Sequence, residues 1–285
     1  MAQFNIHFFK EKNRKIDLEQ LIVFFENIEG YKVQMDEASV RILFTHPRLN
    51  YKVKYLITPK SQVPDIYRLN PKFLDLNFHL EVPILTPNYV AEQIFDTAKK
   101  IADKFDFAIY NEMFEDVLTF KMDIVLKVFS MLKNAYIEKN PMILNDYFYL
   151  NTDRLNAIYR YLDDFQELQK YYQDLDTYVP KYHFLSTNNK KLGLGIEWRE
   201  QTMTLFPIYT DYIFYHIDHQ IKVYDANDVF ELIEKYLIDV PGFIKGTKVI
   251  PKKVCKKVHK LIKKAKLKEL DDQFKRAELR YLIDL

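Results

Sequence analysis

The 285-residue chain has one cysteine, one tryptophan and five glycines. With Cys255 alone, neither an intrachain disulfide nor a cysteine-rich zinc site can form, and a reducing cytoplasm is the default compartment. Scarce glycine leaves little material for phosphate-cradling loops. "KLGLGIEW" holds a Gly-x-Gly pair without the rest of a dinucleotide fingerprint, and "GFIKGTK" lacks the spacing and residue order of a P-loop. No apolar run reaches the roughly 18–20 residues that a membrane span requires. The opening "MAQFNIHFFKEKNRK" lacks the charge, apolar and small-residue order of a signal peptide. The expectation is a soluble, unprocessed chain without metal or cofactor.

Apolar residues make up 48% of the sequence, enough for a substantial core. Lysine outnumbers arginine 33 to 9 while Ile, Asn, Tyr and Phe are plentiful, a bias that AT-rich coding also produces. The net charge of +2 conceals an asymmetry: residues 245–285 carry 14 basic against 5 acidic side chains, and residues 1–244 carry 28 against 35. A basic end on a mildly acidic body points to an acidic partner.

Periodicity predicts a strand at 4–9 and a helix from an Asp17 cap to Gly30. Three short strands follow within 31–58, with turns at Asp36-Glu37 and Pro47, then a proline-bearing loop over 59–75 and a strand over 76–85. Next come a helix ending at Phe105, a strand at 107–112 and a helix over 115–139 closed by Asn140-Pro141. Residues 1–140 thus read as an α+β domain, an antiparallel sheet with helices on one face. Residues 141–244 read as a second, smaller α+β domain. It has one helix over 152–175, hairpins around "TNNKKLG" and Asp218-His219-Gln220, and a helix from 226 capped by Asn227 or Asp228. Residues 245–285 form a basic helical segment.

Few constellations suggest chemistry. His216 and His219, with Asp211, Asp218 and Asp225 nearby, invite a metal reading, but strand residues three apart face opposite ways, which favours a polar hairpin tip. Asp163 and Asp164 diverge on a helix and form no carboxylate pair. Cys255 stands among lysines that would lower its pKa, yet no base or nucleophile turn accompanies it. Catalysis is not expected.

In "PKKVCKKVHKLIKKAKLK", Val254, Val258, Leu261, Ile262 and Ala265 fall on one narrow helical stripe. Lysines cover the rest, among them Lys252, Lys253, Lys256, Lys257, Lys260, Lys263 and Lys264. Three readings are open: a helix docked by its stripe with solvated lysines, an electrostatic contact with an anionic membrane surface, or neutralisation of nucleic-acid phosphates. An RRM-like sheet reader is disfavoured, because the open sheet face offers only Phe9 for stacking.

The element order of residues 4–137 resembles the C-terminal domain of ZipA, the bacterial division protein that binds the tail of the tubulin-like FtsZ. The likeness is clearest over "LNFHLEVPILTPNYVAEQIFDTAKKIADKFDFAIYNEMFEDVLTF". It implies a split β-α-β, non-catalytic module whose open sheet face takes a partner peptide, such as an FtsZ-like filament tail, in the cytoplasm or peripherally at the inner membrane surface. Alternation places Phe4, Ile6, Phe8, Val40, Ile42, Phe44, Val53, Tyr55, Phe78, Leu80 and Val82 toward the helices. His7, Phe9, Arg41, Leu43, Lys52, Lys54, Leu56, His79 and Glu81 fall on the opposite face. That face is more basic than the mainly apolar groove of the ZipA-like family and suits an acidic peptide or an anion.

Overall fold

The computed structural model describes residues 2–13, 18–63, 70–187, 191–271 and 273–285. Asp17 and the tip of the "TNNKKLG" turn lie outside them. The class is α+β. Contacts divide the chain into two units rather than three segments: residues 1–145 with 283–285, and residues 146–282.

The first unit contains β1 (Gln3–Glu11), α1 (Leu18–Glu26), β2 (Tyr31–Met35), β3 (Val40–Thr45), β4 (Lys52–Ile57), β5 (Phe73–Pro83), α2 (Asn88–Phe105), β6 (Ala108–Tyr110), β7 (Leu118–Thr119) and α3 (Met122–Lys139). Its strands lie in the order β2-β3-β4-β5-β1-β6-β7, every pair antiparallel. The helices pack on one face through the residues that alternation assigned. Phe4 meets Phe95 of α2 and Phe129 of α3 at centroid distances of 5.6 and 5.4 Å, and Phe25 of α1 meets Tyr55 at 5.1 Å. Such edge-on ring pairs add to the burial energy of the side chains themselves.

Two boundaries differ from expectation. The first helix ends at Glu26, and Gly30, at φ +87°, ends the turn that follows. The third helix starts at Met122 instead of Glu115, because Leu118 and Thr119 pair with β6.

Helix α2 is preceded at its N-cap position by Pro87, which offers no capping side chain. The anion comes from far along the chain. Both carboxylate oxygens of Asp284 accept from the Asn88 N–H at 3.2 Å, and the ammonium of Lys133, on α3, also donates to Asp284. Lys133 is 2% exposed and further donates to Thr86 O and Asn88 Oδ1, each at 3.3 Å. Burial lowers the pKa of Lys133, and the neighbouring carboxylate opposes that shift. A negative group at a helix N-terminus complements the helix dipole, and here it also neutralises a buried lysine.

The second unit contains β8 (Phe148–Leu150), α4 (Thr152–Asp163), α5 (Phe165–Gln173), β9 (Thr177–Tyr178), β10 (His183–Ser186), β11 (Leu192–Arg199), β12 (Met203–Phe206), β13 (Tyr212–Ile217), β14 (Gln220–Asp225), α6 (Ala226–Ile233), β15 (Ile238–Asp239), β16 (Lys248–Val249), α7 (Lys252–Lys264) and β17 (Lys275–Arg276). One sheet runs β14-β13-β11-β10-β17, with β11 and β13 parallel; another runs β15-β16-β12-β9. The helix expected over 152–175 is two helices, broken at Asp164. The break lets Ile158 and Tyr161 on one side, and Phe165, Leu168 and Tyr172 on the other, enter one core. Helix α6 is capped by Asp225, whose carboxylate accepts from Asn227 N at 2.8 Å, rather than by Asn227 or Asp228. The β13–β14 hairpin turns on Asp218 and His219 at φ +48° and +62°, the left-handed pair that a two-residue turn requires.

Candidate functional site

Strand register sets the expected peptide face of the first unit into two rows. One runs Gln34, Arg41, Leu56, His79, His7 and Tyr110; the other runs Lys32, Leu43, Lys54, Glu81 and Asn5. The side assignment therefore holds, but the accessibility expected of it does not. His7, Phe9 and His79 are 5%, 1% and 1% exposed, so they present nothing to a partner. A register shift between Phe8 and Phe9 sets the Phe9 ring edge-on to Tyr110. The His7 and His79 rings lie 5.2 Å apart, with His79 Nε2 3.3 Å from a Glu81 oxygen and Lys54 Nζ 2.5 Å from the other. Burial drives the His7 pKa down to about 4, with His79 adding to the fall, and burial lowers His79 as well. What remains accessible is a strip on β2, β3 and β4, with Lys32, Gln34, Arg41 and Lys52 exposed and Leu43, Lys54 and Leu56 half-buried; Arg41 pairs with Asp36 at 3.4 Å, as Lys54 does with Glu81.

Of the basic segment expected to be helical over 245–285, Lys252–Lys264 forms the α-helix α7, whereas Lys248–Val249 and Lys275–Arg276 are strands; the apolar side of α7 is already occupied. Cys255, Val258, His259 and Ile262 of α7 are buried in the core of the second unit, while Val254, Leu261 and Ala265 are half-buried beside it. The buried arc is thus rotated from the Val254–Ala265 stripe toward Cys255 and His259. His259 is the polar anchor. The Tyr215 hydroxyl donates to Nδ1 at 2.6 Å, Nε2 sits 3.4 Å from Thr202 O, and the ring lies 4.9 Å from Trp198. Burial holds the His259 pKa below its ordinary value, consistent with a neutral imidazole whose Nε2–H donates. Burial likewise raises the Cys255 thiol pKa, which reverses the expectation that neighbouring lysines would activate it: their ammonium groups point outward.

All seven expected lysines of α7 are exposed. Lys263 pairs with Asp218 at 2.9 Å, Lys252 with Asp176 at 4.0 Å, and Lys257 lies 5.3 Å from the Tyr236 ring. Lys253, Lys256, Lys260 and Lys264 have no carboxylate partner among the described residues. These four share the side opposite the buried arc and span about 16 Å at 1.5 Å per residue.

The remaining candidates resolve structurally. No group of three or more His, Cys, Asp or Glu among the described residues is placed to hold a metal ion. His219 forms the hairpin turn, whereas His216 approaches Glu197 at 3.6 Å, and His183 approaches the other oxygen of that carboxylate at 3.2 Å. Asp211 accepts from Arg154 at 2.8 Å and from Leu194 N at 2.8 Å, a structural clamp. The Gly-x-Gly pair seats rings: a Cβ on Gly193 would lie 2.3 Å from the Tyr212 ring, and one on Gly195 2.4 Å from the Phe214 ring. His259 was legible as i+4 from Cys255 on one helical side, but the ion-like company of lysines masked it. No helix among the described residues is long and apolar enough to cross a membrane.

Comparison with known protein families, with curated proteins and with solved structures finds no match.

Proposed function

We propose that the chain is a non-catalytic interaction protein that docks on the phosphate backbone of nucleic acid through the outer face of α7. The observation supporting this reading is the division of that helix. Its apolar arc is committed to the core, and the opposite arc carries four lysines that no carboxylate among the described residues neutralises. A membrane-surface helix would lay its apolar arc into the lipid, and this one has none to spare. Lysine ammonium groups act as point charges, so recognition is independent of base sequence.

Binding of a fluorescent single-stranded oligonucleotide, followed by anisotropy across a salt series, tests the reading. Four phosphate contacts predict a slope of about −3 in log K against log salt. The quadruple Lys→Gln variant at 253, 256, 260 and 264 should lose binding with an unchanged melting curve. Binding to anionic vesicles but not to the oligonucleotide, or a slope near zero, overturns the proposal.

A second reading is favoured by the basic strip of Arg41, Lys52 and Lys54 around Leu43 and Leu56. Its charge suits an acidic, partly apolar peptide, and the ZipA resemblance would make the chain a division adaptor in the cytoplasm or at the inner membrane surface. An acidic filament-tail peptide that binds wild type, but not Arg41→Glu, supports it; indifference to that change removes it.

A further inference from the structure

A cavity of about 250 Å³ opens between β2–β4 and α2 in the first unit, and its lining is chemically one-sided. Five of the lining residues are aromatic: Tyr31, Phe44, His46, Tyr51 and Tyr55. Among the described residues of the lining, the one carboxylate is that of Asp96.

Each ring is fixed by its backbone. Tyr31 and Phe44 are cross-strand partners of β2 and β3, with centroids 4.6 Å apart. His46 and Tyr51 stack at 4.8 Å across the β3–β4 connection, which the His46 N–H closes by donating to Tyr51 O at 2.9 Å. Within that connection, His46 Nδ1 accepts from Leu49 N at 3.1 Å. Tyr55 is buried behind them. Gly30 passes so close that a Cβ would lie 2.9 Å from Phe44 Cε2, and its φ of +87° is one that other residues rarely adopt. On the helix side, Gln93 Oε1 accepts from the Tyr51 hydroxyl at 3.2 Å.

The electrostatics select a sign. Burial raises the Tyr31 phenol to about 12 and Tyr55 well above its ordinary value, so both stay neutral. The ring faces are the negative ends of quadrupoles, and Asp96 adds a full negative charge at the rim. Lys100 pairs with Asp96 at 2.7 Å from one turn along the helix, but it is exposed and outside the lining, so the pair is weak and displaceable. A single carboxylate is a poor ligand set for a metal ion, and the Asp96 charge opposes an anion.

The geometry points to a binding site for a small organic cation, a quaternary or methylated ammonium group, held by cation–π contact with Tyr31, Phe44 and Tyr51 and by the Asp96 carboxylate. It is independent of the lysine face of α7 and of the peptide strip, which lies on the other side of the sheet.

The test titrates the full chain with choline by calorimetry and by ligand-observed NMR. The comparison ligand is 3,3-dimethylbutan-1-ol, the neutral carbon analogue of the same shape. Choline should bind about tenfold tighter than the analogue. Asp96→Asn, at an exposed position, should weaken choline severalfold without changing the analogue, and Phe44→Leu, checked for an intact melting transition, should reduce the difference, with the double variant abolishing most of it. Equal binding of the two ligands would show a merely apolar pocket. Equal binding or no binding of choline at millimolar concentration overturns the assignment.

Discussion

The two units cover their sheets differently, and the difference decides where an accessible surface survives. In the first unit, three helices supply the cover: Phe25, Phe95 and Phe129 fill one side of the sheet. Its other side is closed around His7, Phe9 and His79 and open along β2, β3 and β4. In the second unit, the sheet partly covers itself. Tyr212 and Phe214 lean over Gly193 and Gly195, with Phe274 4.8 Å from Tyr212, while α7 closes the opposite side through His259 and Ile262. The exposed charge then lies on the outside of the covering helix. A sheet face is therefore the place to look for a partner only where its cover is incomplete; otherwise the covering element carries the free chemistry.

The comparison breaks most severely at the buried ion pair of the first unit. Lys133→Ala or Asp284→Ala strands a buried charge and should cost about 3–5 kcal/mol in denaturant unfolding. The double change to Met and Leu should recover most of that loss, since it removes both charges together.

Acid should act next. Folded His7 titrates at about 4 against 6.5 unfolded, so between those pH values the unfolded chain holds the proton and the native one does not. Stability should fall as pH drops from 6.5 to 4, by up to about 3 kcal/mol for His7. His79, also held low, adds in the same sense within this unit. Around His7, the Glu81 carboxylate favours the charged form and His79 opposes it, with Lys54 held on Glu81. His7→Phe should flatten the profile measured by chemical denaturation across pH.

The self-covering sheet is tested by Gly195→Ala, whose methyl meets Phe214 Cε2 at 2.4 Å. Overpacking of this kind costs about 1–3 kcal/mol, and the Phe214→Ala background should suppress that increment. Smallest of all is the effect of the quadruple lysine change on α7 on stability, expected within about 0.5 kcal/mol per site because those ammonium groups have no carboxylate partner among the described residues. A larger loss would mean that the face is structural after all.

Much of the fold was legible. Period-two alternation assigned the helix-facing residues of β1, β3, β4 and β5, and the "TPNYVAEQIF" helix and the Asp218-His219 turn stood out in the residues themselves. Elements failed where local preference was neutral. Nothing local marks Asp164 as a break, and Leu118–Thr119 leaves a helical pattern only because β6 is there to pair with it. Of the candidate sites, the lysines were plain, whereas the closure of the His7 and His79 side was not, since alternation gives the side of a sheet and says nothing of what lies over it.

By itself the sequence determined the α+β class, the amphipathic division of α7 and the single cysteine that excludes an intrachain disulfide. These follow from composition and from residues within a few positions of one another. Tertiary structure alone decided that Asp284 caps a helix beginning 196 positions earlier, that two glycines seat aromatic rings, and that five aromatics and one carboxylate line a single cavity. Each depends on contacts between segments distant in the chain, and no periodicity encodes which distant segments will meet.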